Sequence, residues 1–550
     1  MHASAKIEVA RSASENWLSS HSNLIAAVIV AVAFVIRLKS AAQSFLNGDE
    51  ALHFMAANQP TWASTYKASL TVSHPPLLMF FLHVWRFLGT TELVLRLPCV
   101  LAGTAFCWIF FRWLSDLFGT ETGLIGILFA GFLPPMLSLS TEIRQYAFLL
   151  FFAISAMYWI ERALKQNSSA AMLLFSVSLW LAIFSHYSAV LLAASLGLYV
   201  PLRMRGASLS PTLIGVWVAG QFGALLLCAL LYFTYISAFG GQALHGWMDV
   251  YLHNSYFDPK RHHAIAFIFA RTISVFQYTS GQNVLGDVLF LVFVAGIVLI
   301  WRRKMAKGYA TVFLLLFPFA ITCATAFLDI YPYGGTRHCI FLAIFGIAAI
   351  SFAFARLAGL RAGLAIAALL VIICNFLPSR RLPYIAPAEQ RRVHMDQAMT
   401  FIQQRIPPSD LIFVDSQTSL LLGHYLCRQQ PFFIDEWRHG FNRLQCDGHQ
   451  IIGTEGSVYT FTADNFIPSW NEMLARYDLK PGTPVWIIQA GWLWEDSLGK
   501  ELRERFPELR NLQVDSFGNN ISIFKLTVDP APPFHPAAPA APTTMLQSPQ

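Results

Sequence analysis

Eleven long apolar runs leave this chain few ways to fold. They lie near 23–44, 93–114, 122–141, 145–163, 169–185, 187–202, 212–236, 284–301, 309–328, 338–356 and 361–377. A helix needs about 20 apolar residues to cross the hydrocarbon core of a bilayer, and only helices and closed barrels satisfy their backbone there. The expected fold class is therefore an α-helical polytopic membrane protein of about 11 transmembrane helices. Composition agrees, with 55% hydrophobic and 13% charged residues. No small-residue cleavage site follows the first run, so it reads as an anchor helix rather than a removable signal. A shorter apolar stretch, His74 to Leu88, opens with two prolines and contains Arg86, and reads as re-entrant or interfacial.

Charge sets the orientation. The net charge of +7 could point to nucleic acid, but the basic residues sit in short clusters between apolar runs. With residues 1–22 cytoplasmic, the inner connections hold Arg112; Arg162 and Lys165; Arg203 and Arg205; Arg302, Arg303, Lys304 and Lys307; and Arg356 and Arg361. That is the positive-inside pattern. Arg37, Lys39, Arg96 and Arg337 break it by lying near the outer ends of spans, where a charge is costly unless paired or snorkelling.

The same count gathers polar groups on the outer face. In "LNGDEALHF", Asp49 and Glu50 follow a glycine just after the first span, with no Lys or Arg in the next sixteen positions. "SHPPLL" supplies His74 before two prolines. "STEIRQYAF" puts Glu142, Arg144 and Tyr146 where one span gives way to the next. "FSHYSAV" places His186 and Tyr187 at a hairpin end, and "DIYPYGGTRHC" sets Tyr333, Arg337 and His338 at the mouth of a span. The loop Ser237–Asn283 adds His245, Asp249, His253, Asp258, Lys260, Arg261, His262 and His263. Their spacing specifies no metal, although a divalent metal is conceivable, and a surface for a polar, sugar-containing substrate fits better. Taken singly, each motif also reads as a helix start, an interfacial belt or a snorkelling cation.

Carboxylates and arginines at one membrane level fit one reaction type. Guanidinium groups hold a lipid phosphate bidentately, a carboxylate deprotonates a hydroxyl acceptor, and cations stabilise the charge on the departing phosphate.

Beyond about residue 380 the composition becomes that of a soluble domain. "DLIFVDSQT" and "PVWIIQAGW" read as buried strands, "HMDQAMTFIQQRI" as a helix, and "LQVDSFGNNISIFKL" as two strands around a Gly-Asn-Asn turn. The expected organisation is a transmembrane domain over 23–377, a small α/β domain over 378–528 and a disordered Pro/Ala-rich tail over 529–550. The α/β domain lacks a glycine-rich phosphate fingerprint and reads as accessory or acceptor-facing. Six cysteines lie in apolar runs, whereas Cys427 and Cys446 lie in this domain and could pair outside the cytoplasm.

In order along residues 23–377, "GDEALHF", "HPPL", "LVLRLPCVLAG", "STEIRQYAFLL", "SHYSAVLLAA" and "GGTRHC" resemble the integral-membrane GT-C glycosyltransferases of the protein O-mannosyltransferase and aminoarabinose transferase superfamily. The resemblance is closest to the bacterial branch called glycosyltransferase family 39, or RgtA/B/C/D-like. It implies a GT-C fold and an inverting transfer of sugar from a polyprenyl-phosphate donor to a hydroxyl acceptor on the periplasmic or lumenal side. The acceptor would be a glycan, lipid or protein, and the membrane the bacterial inner one. By resemblance Asp49 is the base with Glu50 its neighbour, Glu142 with Arg144 and Tyr146 forms the second outer acidic position, and Arg337 contacts the donor phosphate. His74 and Ser73 stand where aminoarabinose transferases carry a lysine and an acid, so neither a shared metal site nor a shared acceptor follows. Two other classes fit the composition: a lipid-linked sugar transporter or flippase, and a non-catalytic assembly subunit. Paired halves with interrupted helices, the usual transporter mark, are not evident in the sequence.

Overall fold

The computed structural model describes residues 17–18, 20–205, 209–237, 252–302, 308–377, 391–427, 440–456, 458–492 and 497–528. The expected tail over 529–550, His245, Asp249 and the basic residues Arg303, Lys304 and Lys307 lie outside the described residues. The chain forms two compact units, one of residues 1–43 and 56–387, the other of residues 44–55 and 388–550.

The described part of the first unit holds helices and no strands. Each of the eleven expected runs is largely helical, and among the described residues seven helices are long and apolar enough to cross a membrane: Ser22–Gln43, Glu92–Phe118, Tyr146–Gln166, Pro211–Ile236, Asn283–Arg302, Gly308–Phe327 and Gly359–Phe376. The others are shorter, at Thr120–Phe132, Ser169–Ser185, Ser188–Met204 and Leu342–Leu357. The run at 122–141 is not continuous. Pro134, which has no N–H to donate, ends the helix Thr120–Phe132 and starts a five-residue helix Pro134–Ser138. The His74–Leu88 stretch forms the helix Leu77–Trp85 and a 3-10 turn Arg86–Leu88. Together they rise about 18 Å, well short of a bilayer core.

One expectation is corrected. The segment Ser237–Asn283 is not all loop, because Ala264–Ser280 is a helix that packs on Asn283–Arg302 through the left-handed Gly281. Arg271, Thr272 and Gln277 dilute its apolar pattern, which hides it from a hydropathy reading.

Arg37, the first cation to break the charge rule, is fully buried. It caps the broken helix. A helix leaves its last four carbonyls unpaired. Here Phe129 O accepts from Leu133 N (3.1 Å), Ala130 O from Arg37 Nη2 (3.4 Å), Gly131 O from Arg37 Nη1 (2.9 Å), and Phe132 O from Asn375 Nδ2 (2.8 Å). Arg37 also donates to Met136 O (3.2 Å) and, through Nε, to Ser140 Oγ (2.7 Å). Its charge sits at the negative end of a helix dipole. Gly103 makes the room, since a Cβ there would collide with Ser140.

The second unit is built on a six-stranded sheet of order β2-β3-β1-β4-β6-β5. The strands are β1 Leu411–Val414, β2 Asn442–Cys446, β3 His449–Gly453, β4 Pro484–Ala490, β5 Val514–Ser516 and β6 Ile521–Thr527. β1 runs parallel to both β3 and β4, and the outer pairs are antiparallel. All four residues of β1 are buried, as a strand covered on both faces requires. Both turn residues between β2 and β3, Asp447 and Gly448, have positive φ, which a two-residue hairpin favours. Phe413, Phe461, Phe466, Trp470, Ile487 and Leu502 form the core. Cys427 and Cys446 are disulfide-bonded across 19 positions. Closing a loop of that length stabilises by about 3 kcal/mol in the chain-entropy view.

Candidate active site

In the helical unit, four rings from four separate stretches of sequence meet. His186 stacks on His74 (centroids 5.7 Å apart) and lies 5.2 Å from Tyr146 and 6.1 Å from His338, and Tyr146 is 6.4 Å from His338. Each is delivered by a chain break. His74 precedes the prolines that start Leu77–Trp85. Tyr146 opens the helix after the Arg37-braced turn. His186 is the C-cap of Ser169–Ser185, and His338 lies in the 3-10 turn Arg337–Cys339. The Cζ of Arg144 is 5.7 Å from the Tyr146 ring centre. Tyr331, the first tyrosine of the same motif, donates to His338 O (3.1 Å).

The protonation of His186 follows from its neighbours. Its Nδ1 accepts from the Ser188 N–H (3.2 Å), with Ser188 Oγ at 2.8 Å. A neutral imidazole that accepts at Nδ1 carries its proton on Nε2. Burial pushes the ring pKa down to about 3, and the Arg144 and Arg337 guanidiniums push the same way. His186 is therefore neutral at physiological pH and offers Nε2–H as a donor. That Nε2 and the Tyr146 hydroxyl are both buried without a hydrogen-bond partner among the described residues. Two unsatisfied donors beside two guanidiniums are the chemistry that an anion would satisfy.

Tyr187, Tyr333, Asp258 and His262 have other neighbours. Tyr187 has Tyr235 as its electrostatic neighbour, and the Tyr235 hydroxyl is 3.0 Å from Ser69 Oγ. Tyr333 is buried against Thr272 (2.7 Å between hydroxyls) and lines an apolar groove of about 740 Å³ between Ala264–Ser280 and Gly308–Phe327. Glu142 is buried in the tight turn, where its carbonyl accepts from Arg144 N (2.8 Å). Asp258 pairs with Arg261 (3.4 Å), and His262 Nδ1 accepts from Asp258 N (3.2 Å). Among the described residues no three His, Cys, Asp or Glu side chains gather as a metal site.

Asp49 and Glu50 belong to the sheet unit, on the helix Gly48–Ala57. They differ in what they do. Glu50 Oε2 accepts from Asn47 N (2.9 Å) while Asn47 Oδ1 accepts from Glu50 N (2.9 Å). This is a reciprocal N-terminal cap, so Glu50, expected beside Asp49 in catalysis, holds the helix start. Asp49 is the half-buried carboxylate one position earlier, and Tyr459 donates to its Oδ1 at 3.5 Å.

Residues 73–237 match the family model described as dolichyl-phosphate-mannose-protein mannosyltransferase. No curated protein sequence matches the chain. Among solved structures, ArnT from Cupriavidus metallidurans bound to undecaprenyl phosphate aligns at 12% identity and a TM-score of 0.51, over 91% of this chain and 97% of that one. The same protein in its apo state aligns at 12% identity and 0.50, over 93% and 98%. The archaeal oligosaccharyltransferase AglB from Archaeoglobus fulgidus, in complex with an inhibitory peptide and a dolichol-phosphate, aligns at 11% identity and 0.48, over 86% and 70%. Over residues 73–237 this multi-pass membrane protein is similar to the protein mannosyltransferase family, and over most of its length its fold is similar to that of ArnT.

Proposed function

We propose that the protein moves a sugar from a polyprenyl-phosphate carrier to a hydroxyl acceptor, with inversion at the anomeric carbon. The observation that carries this reading is the pair of buried, unsatisfied donors, His186 Nε2–H and Tyr146 O–H, beside Arg144 and Arg337. That set recognises a phosphate whose charge rises as it departs. Asp49 takes the proton from the acceptor hydroxyl. The acceptor oxygen forms its bond to the anomeric carbon as the bond from that carbon to the phosphate oxygen breaks, and the electron pair leaves on the phosphate. The groove ending at Tyr333 has the apolar lining a prenyl tail needs. The undecaprenyl phosphate held by the ArnT structure supports the carrier class.

The reaction face is proposed to be extracytoplasmic, in a bacterial inner membrane. The five basic inner connections support that orientation, as does the Cys427–Cys446 disulfide, which needs an oxidising compartment. The test is transfer of label from a panel of radiolabelled polyprenyl-phosphate sugars to envelope extract in nanodiscs. Asp49→Asn should abolish transfer while leaving insertion and donor binding intact. Wild-type turnover by that variant would remove Asp49 from the mechanism. Movement of the lipid across the bilayer without any sugar transfer would instead favour a flippase.

A further inference from the structure

The sheet unit carries a feature that an accessory domain does not need. β1 lies between β3 and β4 and is parallel to both, so the strand order reverses at β1. In open α/β sheets the crevice beyond the carboxyl ends of the strands at such a reversal is where ligands bind. Here the chain's own residues 44–49 lie against the residues of that crevice. Leu46 N donates to Tyr425 Oη (2.8 Å), and Ser44 bridges Arg391. A Cβ on Gly48 would collide with the Tyr459 hydroxyl and stand 3.1 Å from Gln417, so only glycine permits the approach. Gln417 is itself fixed. Its Nε2 donates to Thr460 Oγ1 (2.9 Å) and Trp492 O (3.0 Å), and its Oε1 accepts from Trp492 N (2.9 Å). Tyr459 is held by its carbonyl, which accepts from Gln417 N (3.1 Å), while Asp415 ties the loop by accepting from Thr418 N (2.8 Å) and Phe461 N (3.1 Å).

We propose that this unit is the mount of the reacting carboxylate, and that Tyr459 is a positioning residue for Asp49. The inference rests on the reading of Asp49 as the base. The phenol donates to Oδ1, which fixes the carboxylate's rotamer and favours its ionised form. Gly48 is small so that the phenol can reach. Among the described residues, titratable groups on this helix and near it include Glu50, His53, Tyr425, His424, Asp415, Arg391 and Arg392. His53 Nδ1 is engaged by the Asp49 carbonyl (2.7 Å), and His424 packs edge-on against Phe54.

Tyr459→Phe keeps the ring and removes the donor. Its kcat should fall about tenfold while the KM for the polyprenyl donor stays unchanged. The acidic limb of its kcat profile should move to higher pH, because the carboxylate has lost a donor that favours ionisation. Gly48→Ala displaces the helix start from Tyr459 and should lower kcat in the same way. Monodisperse protein with an intact Cys427–Cys446 disulfide controls for folding. Wild-type kcat and an unmoved acidic limb in both variants, with Asp49→Asn inactive, would overturn the mounting role and leave the enzyme reading standing. Full activity in Asp49→Asn would overturn both.

Discussion

Replacing Arg37 with methionine keeps an unbranched side chain of similar length and removes every donor. The helix Thr120–Phe132 then loses the partner of Gly131 O, keeps only the weak Cys107 Sγ donor (3.5 Å) at Ala130 O, and Ser140 Oγ loses its 2.7 Å donor. A buried acceptor left unsatisfied costs about 1–3 kcal/mol, so Gly131 O with the weakened Ala130 O costs roughly 3 kcal/mol. With an unfolding entropy of about 2 cal/mol/K per residue over roughly 350 residues, the midpoint falls by about 4 °C. The loss should reach function as well. The turn braced by Arg37 leads into Glu142, Arg144 and Tyr146, so the KM for the polyprenyl donor should rise. Arg37→Lys should recover only part of both effects, since one ammonium cannot fork between Gly131 O, Met136 O and Ser140 Oγ. The assay is thermal unfolding in nanodiscs beside donor-dependent transfer rates. An Arg37→Met protein within a degree of wild type, with an unchanged donor KM, would refute the capping account.

Two further outcomes follow from the geometry. His186→Phe keeps the buried aromatic volume and removes the Nε2–H donor, so the donor KM should rise about tenfold, as expected for a lost hydrogen bond to a charged group; competition by free polyprenyl phosphate checks it, and unaltered competition excludes His186 as a ligand. Burial raises the Asp415 pKa to about 7, so between about 4 and 7 the folded state holds a proton that the unfolded state has released, and stability falls as pH rises through that window. Asp415→Asn should flatten that slope of the sheet unit, read by hydrogen exchange of β1 and β4 at a series of pH values, and an unchanged slope would place the titration elsewhere.

The membrane-spanning character and most helix positions were legible because apolar runs report burial in lipid directly. The break at Leu133–Pro134 was concealed by apolar residues on both sides, although the two prolines marked it. The helix Ala264–Ser280 escaped because its own polar residues lower the local hydropathy. Asn47 and Glu50 carried the spacing of a reciprocal cap, yet two adjacent acids drew a chemical reading instead. The rings of His74, Tyr146, His186 and His338 were each weak signals, and only the fold brings them together. Arg37 stood out as a charge in the wrong place, which located it without revealing its partners. Tyr459 carried no local signal at all. Its significance exists only through a contact 410 positions away, and no periodicity reaches that far.

That separation also has a consequence for the timing of assembly. Leu46 and Asp49 are synthesised long before the residues that hold them, Tyr425 and Tyr459, which follow 379 and 410 positions later. At about 5–20 residues per second the ribosome covers such a distance in roughly 20–80 s. Throughout that interval the helix beginning at Gly48 has its own cap but not its mount, while the spans that follow it are being inserted. Closing so long a loop adds little free energy beyond closing a moderate one, because the cost grows only logarithmically. The delay is therefore one of synthesis order and not of equilibrium. A ribosome stalled after the last span would leave a protein that is threaded through the membrane and whose Asp49 has not yet met Tyr459.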